Sequence, residues 1–196
     1  MSADNRPVPA WGAAHARKTA RGRNLTVFGG VALVWLCLDI LTKSWLSGNY
    51  AQGEVITGPI LGLVRLHLVH NTGAAWGMFG DSTLALGVMS SVVCIVLTAY
   101  MYYMSPRASL LEVLGIALVV AGGIGNAIDR FTLGYVVDFI EPVFIDFPVF
   151  NVADIGVTCG FVLFLVGLLL RERRDGARAF EEAAVEEQAE AERSDQ

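Results

Sequence analysis

The chain has little of what soluble catalytic proteins rely on. Its three cysteines, Cys37, Cys94 and Cys159, sit singly inside apolar runs without pair spacing, which argues against a disulfide framework and against a thiolate metal site. The three histidines, His15, His67 and His70, are too scattered for a His-Glu-x-x-His zinc motif, and none lies in a long apolar run. No histidine is therefore placed to activate Ser90 or Ser91 as a nucleophile. Metal catalysis is therefore disfavoured, and no nucleic-acid partner is expected. An internal repeat is also missing, which weighs against inverted-repeat transporter folds. The Gly122-Gly123-Ile124-Gly125 cluster follows no strand and precedes no P-loop lysine, so it reads as a site of close helix packing.

What the sequence does have is apolar length. Of its 196 residues 54% are hydrophobic and only 17% charged, a composition that points to a membrane protein. Four stretches, 25–46, 84–104, 110–128 and 155–170 with an entry at Phe150, approach the about 20 residues that an α-helix needs to cross ~30 Å of hydrocarbon. The first follows a long polar arm, continues through Asp39 and Lys43, and lacks a small-x-small cleavage site, so it does not read as a cleavable signal. Between the first two spans, Leu63-Val64-Arg65-Leu66-His67-Leu68-Val69-His70 partly alternates with period two, after Gly58-Pro59 and Gly62. One or two short strands are expected there. The expected fold is an all-α integral membrane protein with four transmembrane helices, at about 25–46, 84–104, 110–129 and 152–170, and a small extracytoplasmic sheet between the first two. A basic arm, 1–24, and an acidic tail, 171–196, flank the membrane domain at 25–170, the tail reading as solvated helix or disorder. Lys and Arg concentrate in the arm, at Arg107, and at Arg171, Arg173 and Arg174, so both termini are expected in the cytoplasm.

That topology sends the unusual polar residues to one end. Asp39 and Lys43 close the first span, and Asn126, Asp129 and Arg130 the third. Asp138 lies in the connection after it, Asn151 and Asp154 open the fourth span, and Asn71, Gly73 and Asp81 precede the second. A single polar site near the outer membrane surface is the simplest account. Bland readings stand beside it: Asp39 and Lys43, spaced i and i+4, also suit mutual neutralisation, and Asp154 suits a helix cap. Glu112, at the opposite end, reads as a capping charge. The two aspartates in apolar surroundings, Asp138 and Asp154, carry most of the functional weight, because ionisable groups at the edge of hydrocarbon are costly. An apolar setting favours a protonated Asp138, and a helix amino terminus favours an ionised Asp154. Such a pair would supply an acid and a base for peptide hydrolysis. A proton-coupled transporter or channel using the aspartates as a relay is the alternative.

Five segments in order make the chain resemble lipoprotein signal peptidase, the signal peptidase II family of bacterial membrane aspartic peptidases. They are Asp39-Ile40-Leu41-Thr42-Lys43, Asn71-Thr72-Gly73-Ala74-Ala75-Trp76, Gly125-Asn126-Ala127-Ile128-Asp129-Arg130, Val136-Val137-Asp138-Phe139 and Phe150-Asn151-Val152-Ala153-Asp154. The resemblance implies that Asp138 and Asp154 are the catalytic dyad. It makes Asn71, Gly73, Asn126, Arg130 and Asn151 pocket or substrate residues, and Asp39, Lys43, Asp129 and Ala153 their support. It also implies a diacylglyceryl-modified prolipoprotein substrate cut before the lipidated cysteine, no metal or organic cofactor, and inhibition by globomycin-like cyclic peptides. A monomer in contact with membrane lipid is expected, in the bacterial cytoplasmic membrane, with its site near the outer leaflet and an outer helical segment between spans three and four. Trp76 and Gly77 depart from the family's usual Phe and Ser.

Overall fold

The computed structural model describes residues 10–73 and 82–194. The motif residues Ala74, Ala75, Trp76 and Gly77 and the candidate Asp81 lie outside them. The elements run α1 Ala10–Asn49, β1 Val64–Asn71, α2 Thr83–Met104, α3 Leu110–Thr132, β2 Val136–Pro142 and α4 Val152–Ser194. All four helices are long and apolar enough to cross a membrane. Their outward faces suit lipid: Leu33, Val34 and Leu41 on α1 and Val92, Ile95 and Val96 on α2 are all exposed, a surface that water would penalise. The outer two helices run past the bilayer. α1 has 40 residues and α4 has 43, about 60 Å each at 1.5 Å per residue, so the basic arm from Ala10 and the acidic tail as far as Ser194 continue as helix.

α3 is the hub, with 67% of its span buried against 6% for α1 and 22% each for α2 and α4. The glycine cluster is what admits three neighbours: Gly123 points about 100° round the helix from Gly122, towards α2, whereas Gly122 and Gly125, three apart, share the broad face on which α4 and α1 pack side by side. A Cβ on Gly122 would strike the Ala153 carbonyl of α4, one on Gly123 would come within 2.5 Å of Cys94 Sγ on α2, and one on Gly125 would strike Asp39 Oδ2 on α1. Further along, a Cβ on Gly115 would lie 2.6 Å from the Gly160 carbonyl, and one on Gly160 the same distance from that of Gly115. α3 begins with a capping box, Glu112 N–H donating to Ser109 Oγ at 3.3 Å and Ser109 N–H to Glu112 Oε2 at 2.9 Å. Glu112 is thus the cap its position suggested, and Arg171 Nη1, 3.2 Å from Glu112 Oε1, ties that cap to α4.

The small sheet is antiparallel, pairing Val69 with Asp138, His70 with Val137 and Asn71 with Val136. β1 lies where the alternating stretch placed a strand. Its partner comes from the connection between α3 and α4, the stretch in which an outer helical segment was expected and where the described residues hold a strand and no helix. The reason is local: Val136, Val137, Phe139 and Ile140 are β-branched or aromatic, and Pro142 and Pro148 bracket the irregular stretch 143–147. Strand alternation then sorts the side chains. Val137 and Phe139 pack with Leu46 and Leu68 against the end of α1, which leaves Val136 and Asp138 on the opposite face.

Substituting Gly122 and Gly30 separates packing from propensity. Gly122→Val would overpack α3 against α4 and should lower stability by roughly 1–3 kcal/mol. Gly30→Ala has nothing within 4 Å of its new methyl and should leave stability unchanged or slightly raised. Melting of the purified protein in detergent checks both, and equal losses would contradict the glycine-contact account.

Candidate active site

The amino terminus of α4 organises the polar end of the bundle. Four N–H groups at a helix start need outside partners. Asn151, preceding Val152, accepts the Asp154 N–H on Oδ1 at 3.0 Å, and Asp154 Oδ2 accepts the Asn151 N–H at 3.0 Å. This reciprocal capping box is the bland reading of Asp154, and it is correct as far as it goes. The Ala153 N–H donates across the bundle to Asp39 Oδ1 on α1 at 2.9 Å. Trp35 of α1 adds a hydrogen bond from Nε1 to the Val152 carbonyl at 3.1 Å, fitting against Gly156.

Capping leaves the Asn151 amide nitrogen free for other work. Its Nδ2 donates to Asp138 Oδ1 at 2.7 Å, to Asn126 Oδ1 at 3.0 Å and to the Val137 carbonyl at 3.3 Å. Asn126 Nδ2 in turn donates to Asp154 Oδ1 at 2.8 Å. Asp138 Oδ2 accepts from Asn71 Nδ2 at 2.9 Å, and Asn71 Oδ1 accepts the Gly73 N–H at 3.0 Å. All four oxygens of the two carboxyl groups therefore receive an N–H donor, from three asparagine side chains and one backbone amide.

Behind this layer lies a buried ion cluster. Lys43 Nζ is 2.8 Å from Asp39 Oδ2, 3.0 Å from Asp129 Oδ2 and 2.9 Å from Asn126 Oδ1. Asp129 Oδ2 also accepts the Val137 N–H at 3.2 Å, joining α3 to the sheet. Asp39 and Lys43 do neutralise one another, but as two members of a larger network.

Asp138 and Asp154 face one cavity of about 450 Å³, lined on its polar side also by Asn71, Gly73, Asn126 and Arg130. Arg130 donates to the Asn126 carbonyl from Nη1 at 3.2 Å and to the Gly73 carbonyl from Nη2 at 3.3 Å. Gly73 is thereby fixed at the rim, its N–H already committed to Asn71. Burial, reinforced by the charge of nearby Asp154, pushes the Asp138 carboxyl up to about 7, with the Asn71 and Asn151 donors pulling the other way. The remaining wall is apolar: Val136, the loop Phe147, Pro148, Val149 and Phe150, and Ile155, Thr158 and Cys159 along α4. None of these wall residues was a site candidate from the sequence. A helical period counted from Asp154 would have found Thr158, one turn on. Among the described residues no three His, Cys, Asp or Glu side chains are grouped as a metal ion would require.

Asp39, Lys43, Asp129 and Ala153 lie behind the cavity lining and connect to it through the bonds above. The family model described as signal peptidase (SPase) II matches residues 31–170, which span every side chain of the site. The lipoprotein signal peptidase of Latilactobacillus sakei is 36% identical over 143 residues, 73% of this chain and 93% of that protein. That of Gloeobacter violaceus is 38% identical over 149 residues, 76% of this chain and 84% of that one. A solved bacterial membrane enzyme, obtained by the in meso method, superposes with a TM-score of 0.65 at 30% identity, covering 76% of this chain and 88% of its own. Sequence along the whole membrane domain and fold agree: this chain belongs to the signal peptidase II family.

Proposed function

We propose that the protein is a membrane aspartic endopeptidase that removes the signal peptide from diacylglyceryl-modified prolipoproteins, cutting before the lipidated cysteine. The observation that carries this reading is the pair of carboxyl groups, Asp138 and Asp154, held at one cavity by a shared set of asparagine donors. The four spans and the family make it a multi-pass protein of the bacterial inner membrane. Basic residues of the arm, Arg107 and the start of the tail favour cytoplasmic termini, which sets the cavity near the outer leaflet.

The chemistry comes from the two environments. Asp154, at a helix amino terminus, takes a proton from a water molecule as its oxygen attacks the scissile carbonyl carbon. Asp138, held protonated by burial, donates to the carbonyl oxygen, giving a neutral gem-diol. Collapse returns one hydroxyl proton to Asp138, and Asp154 passes its proton to the departing amine. The apolar wall of Phe147, Val149, Phe150 and Ile155 suits the lipid and the small side chains beside the cut, and orienting them there places the bond at the pair. Arg130 and Gly73 at the rim suit the peptide backbone. A globomycin-like cyclic peptide would compete for the same cavity. The protein acts as a monomer, among bilayer lipids, without metal or organic cofactor. The relay alternative gains nothing, because the core of α2 and α3 behind the site is Cys94, Met101, Val113, Ile116 and Val120, which carry no proton path.

Cleavage of a purified diacylated prolipoprotein tests this directly. Asp138→Asn and Asp154→Asn should each lower turnover by about 10²–10⁴-fold while retaining substrate, and full activity in either removes that residue from the mechanism. Stability should move oppositely for one of them. The folded protein holds on to a proton at Asp138 that the unfolded chain gives up near 3.8, so stability is lost as pH rises from there through about 7. Asp138→Asn removes that loss, and its melting temperature should exceed wild type by more at about pH 8 than at about pH 4. A pH-independent difference would show that Asp138 is not buried as described.

A further inference from the structure

We propose that Lys43 is a positioning residue: it sets the direction of the Asn126 amide and thereby supplies Asp154 with its side-chain donor. The inference rests on the dyad reading above and says how that dyad is assembled. An ammonium group has three N–H donors and no acceptor. Lys43 is 3% exposed, and its close partners are all oxygens: it forms ion pairs with Asp39 Oδ2 and Asp129 Oδ2 and donates a hydrogen bond to Asn126 Oδ1. It can face only the oxygen end of the Asn126 amide, so the nitrogen end must turn the other way. There it meets Asp154 Oδ1 at 2.8 Å. A flipped amide would set donors against Lys43 and an oxygen against the Asp154 carboxylate, replacing two hydrogen bonds by two repulsions.

The same choice propagates. Asn126 Oδ1, once aimed at Lys43, also accepts from Asn151 Nδ2 at 3.0 Å, the group that continues to Asp138. The other two asparagines are held by the backbone, Asn151 Oδ1 by the Asp154 N–H and Asn71 Oδ1 by the Gly73 N–H. Among the donors to the pair, Asn126 is the one whose direction depends on a charged side chain. Asp39 and Asp129 in turn hold the ammonium, and each accepts a backbone N–H, from Ala153 and Val137, so the lysine is fixed to α4 and to the sheet. The charged groups around Asp154 are then Lys43 and Asp39 from α1, Asp129 and Arg130 from α3 and Asp138 from β2.

A double-mutant cycle on kcat against pH, with the diacylated prolipoprotein, tests the assignment. Lys43→Met and Asn126→Leu should each lower kcat about tenfold or more, with KM nearly unchanged, because each removes a donor to a charged group. Both should move the acid limb of the kcat profile to higher pH, and the double variant should be no slower than Asn126→Leu alone. Multiplying losses, or an unmoved acid limb in Lys43→Met, would overturn the proposal. If Lys43→Met does not fold, Asp39→Asn/Lys43→Met keeps the net charge of the cluster, and the same cycle applies to it. Asp138→Asn and Asp154→Asn run alongside: activity in those removes the dyad reading itself, whereas their inactivity with a multiplicative cycle removes only the role of Lys43.

Discussion

The amide of Asn151 is the point on which the rest of the site depends. Its oxygen caps α4 and its nitrogen binds Asp138, so the bonds that start the helix also hold the two carboxyl groups to one another. Helix capping is usually a matter of stability alone, worth about 1 kcal/mol. Here the cap residue at N3 is Asp154, and the capping geometry orients one of the two carboxyl groups of the proposed dyad. Stability and chemistry are coupled at that turn, since a change that frays the start of α4 also moves Asp154 away from Asp138.

Holding that turn in place takes the whole bundle. The Ala153 N–H reaches Asp39 only because Gly122 and Gly125 let α4 and α1 approach the backbone of α3. The buried charges of Lys43, Asp39 and Asp129 would be costly alone, and they are tolerated because every one is paired and hydrogen-bonded to a neighbouring element. The cluster is therefore a joint between α1, α3, α4 and the sheet as well as a support for the proposed dyad. A second polar joint closes the far end of the bundle, where Asn24 Nδ2 donates to the Ser105 and Ala108 carbonyls at 2.8 and 3.0 Å and Arg171 meets Glu112. It pins the loop between α2 and α3 to α1 and gives the long tail helix a fixed departure from the membrane domain.

Much of this was legible because membrane helices announce themselves by length, and because α1, α3 and α4 deliver their polar ends to one place once their directions are known. The glycine cluster was legible as packing, but not which neighbour each glycine admits. Asp138 was visible as a carboxylate among Val137 and Phe139, yet its strand partner was not, since β2 pairs with a strand far back in the chain, Val69 opposite Asp138 and Asn71 opposite Val136. The apolar wall at Phe147 to Phe150 was hidden for the same reason: an irregular loop has no period, and its position is set by tertiary contact. The joint at Asn24 was missed because a lone asparagine near a basic arm carries no pattern; only its 2% exposure shows its role.

The central claim is that Asp138 and Asp154 act as one unit holding a single proton near neutral pH, with Asp138 as its carrier. Infrared difference spectroscopy of the purified protein, following the carboxylic C=O stretch against pH, tests it most directly. One protonated carboxyl band should titrate with a midpoint at about 7 and vanish in Asp138→Asn. Titration of every carboxyl band in the ordinary acidic range, or a band near neutrality that survives in Asp138→Asn, would contradict it.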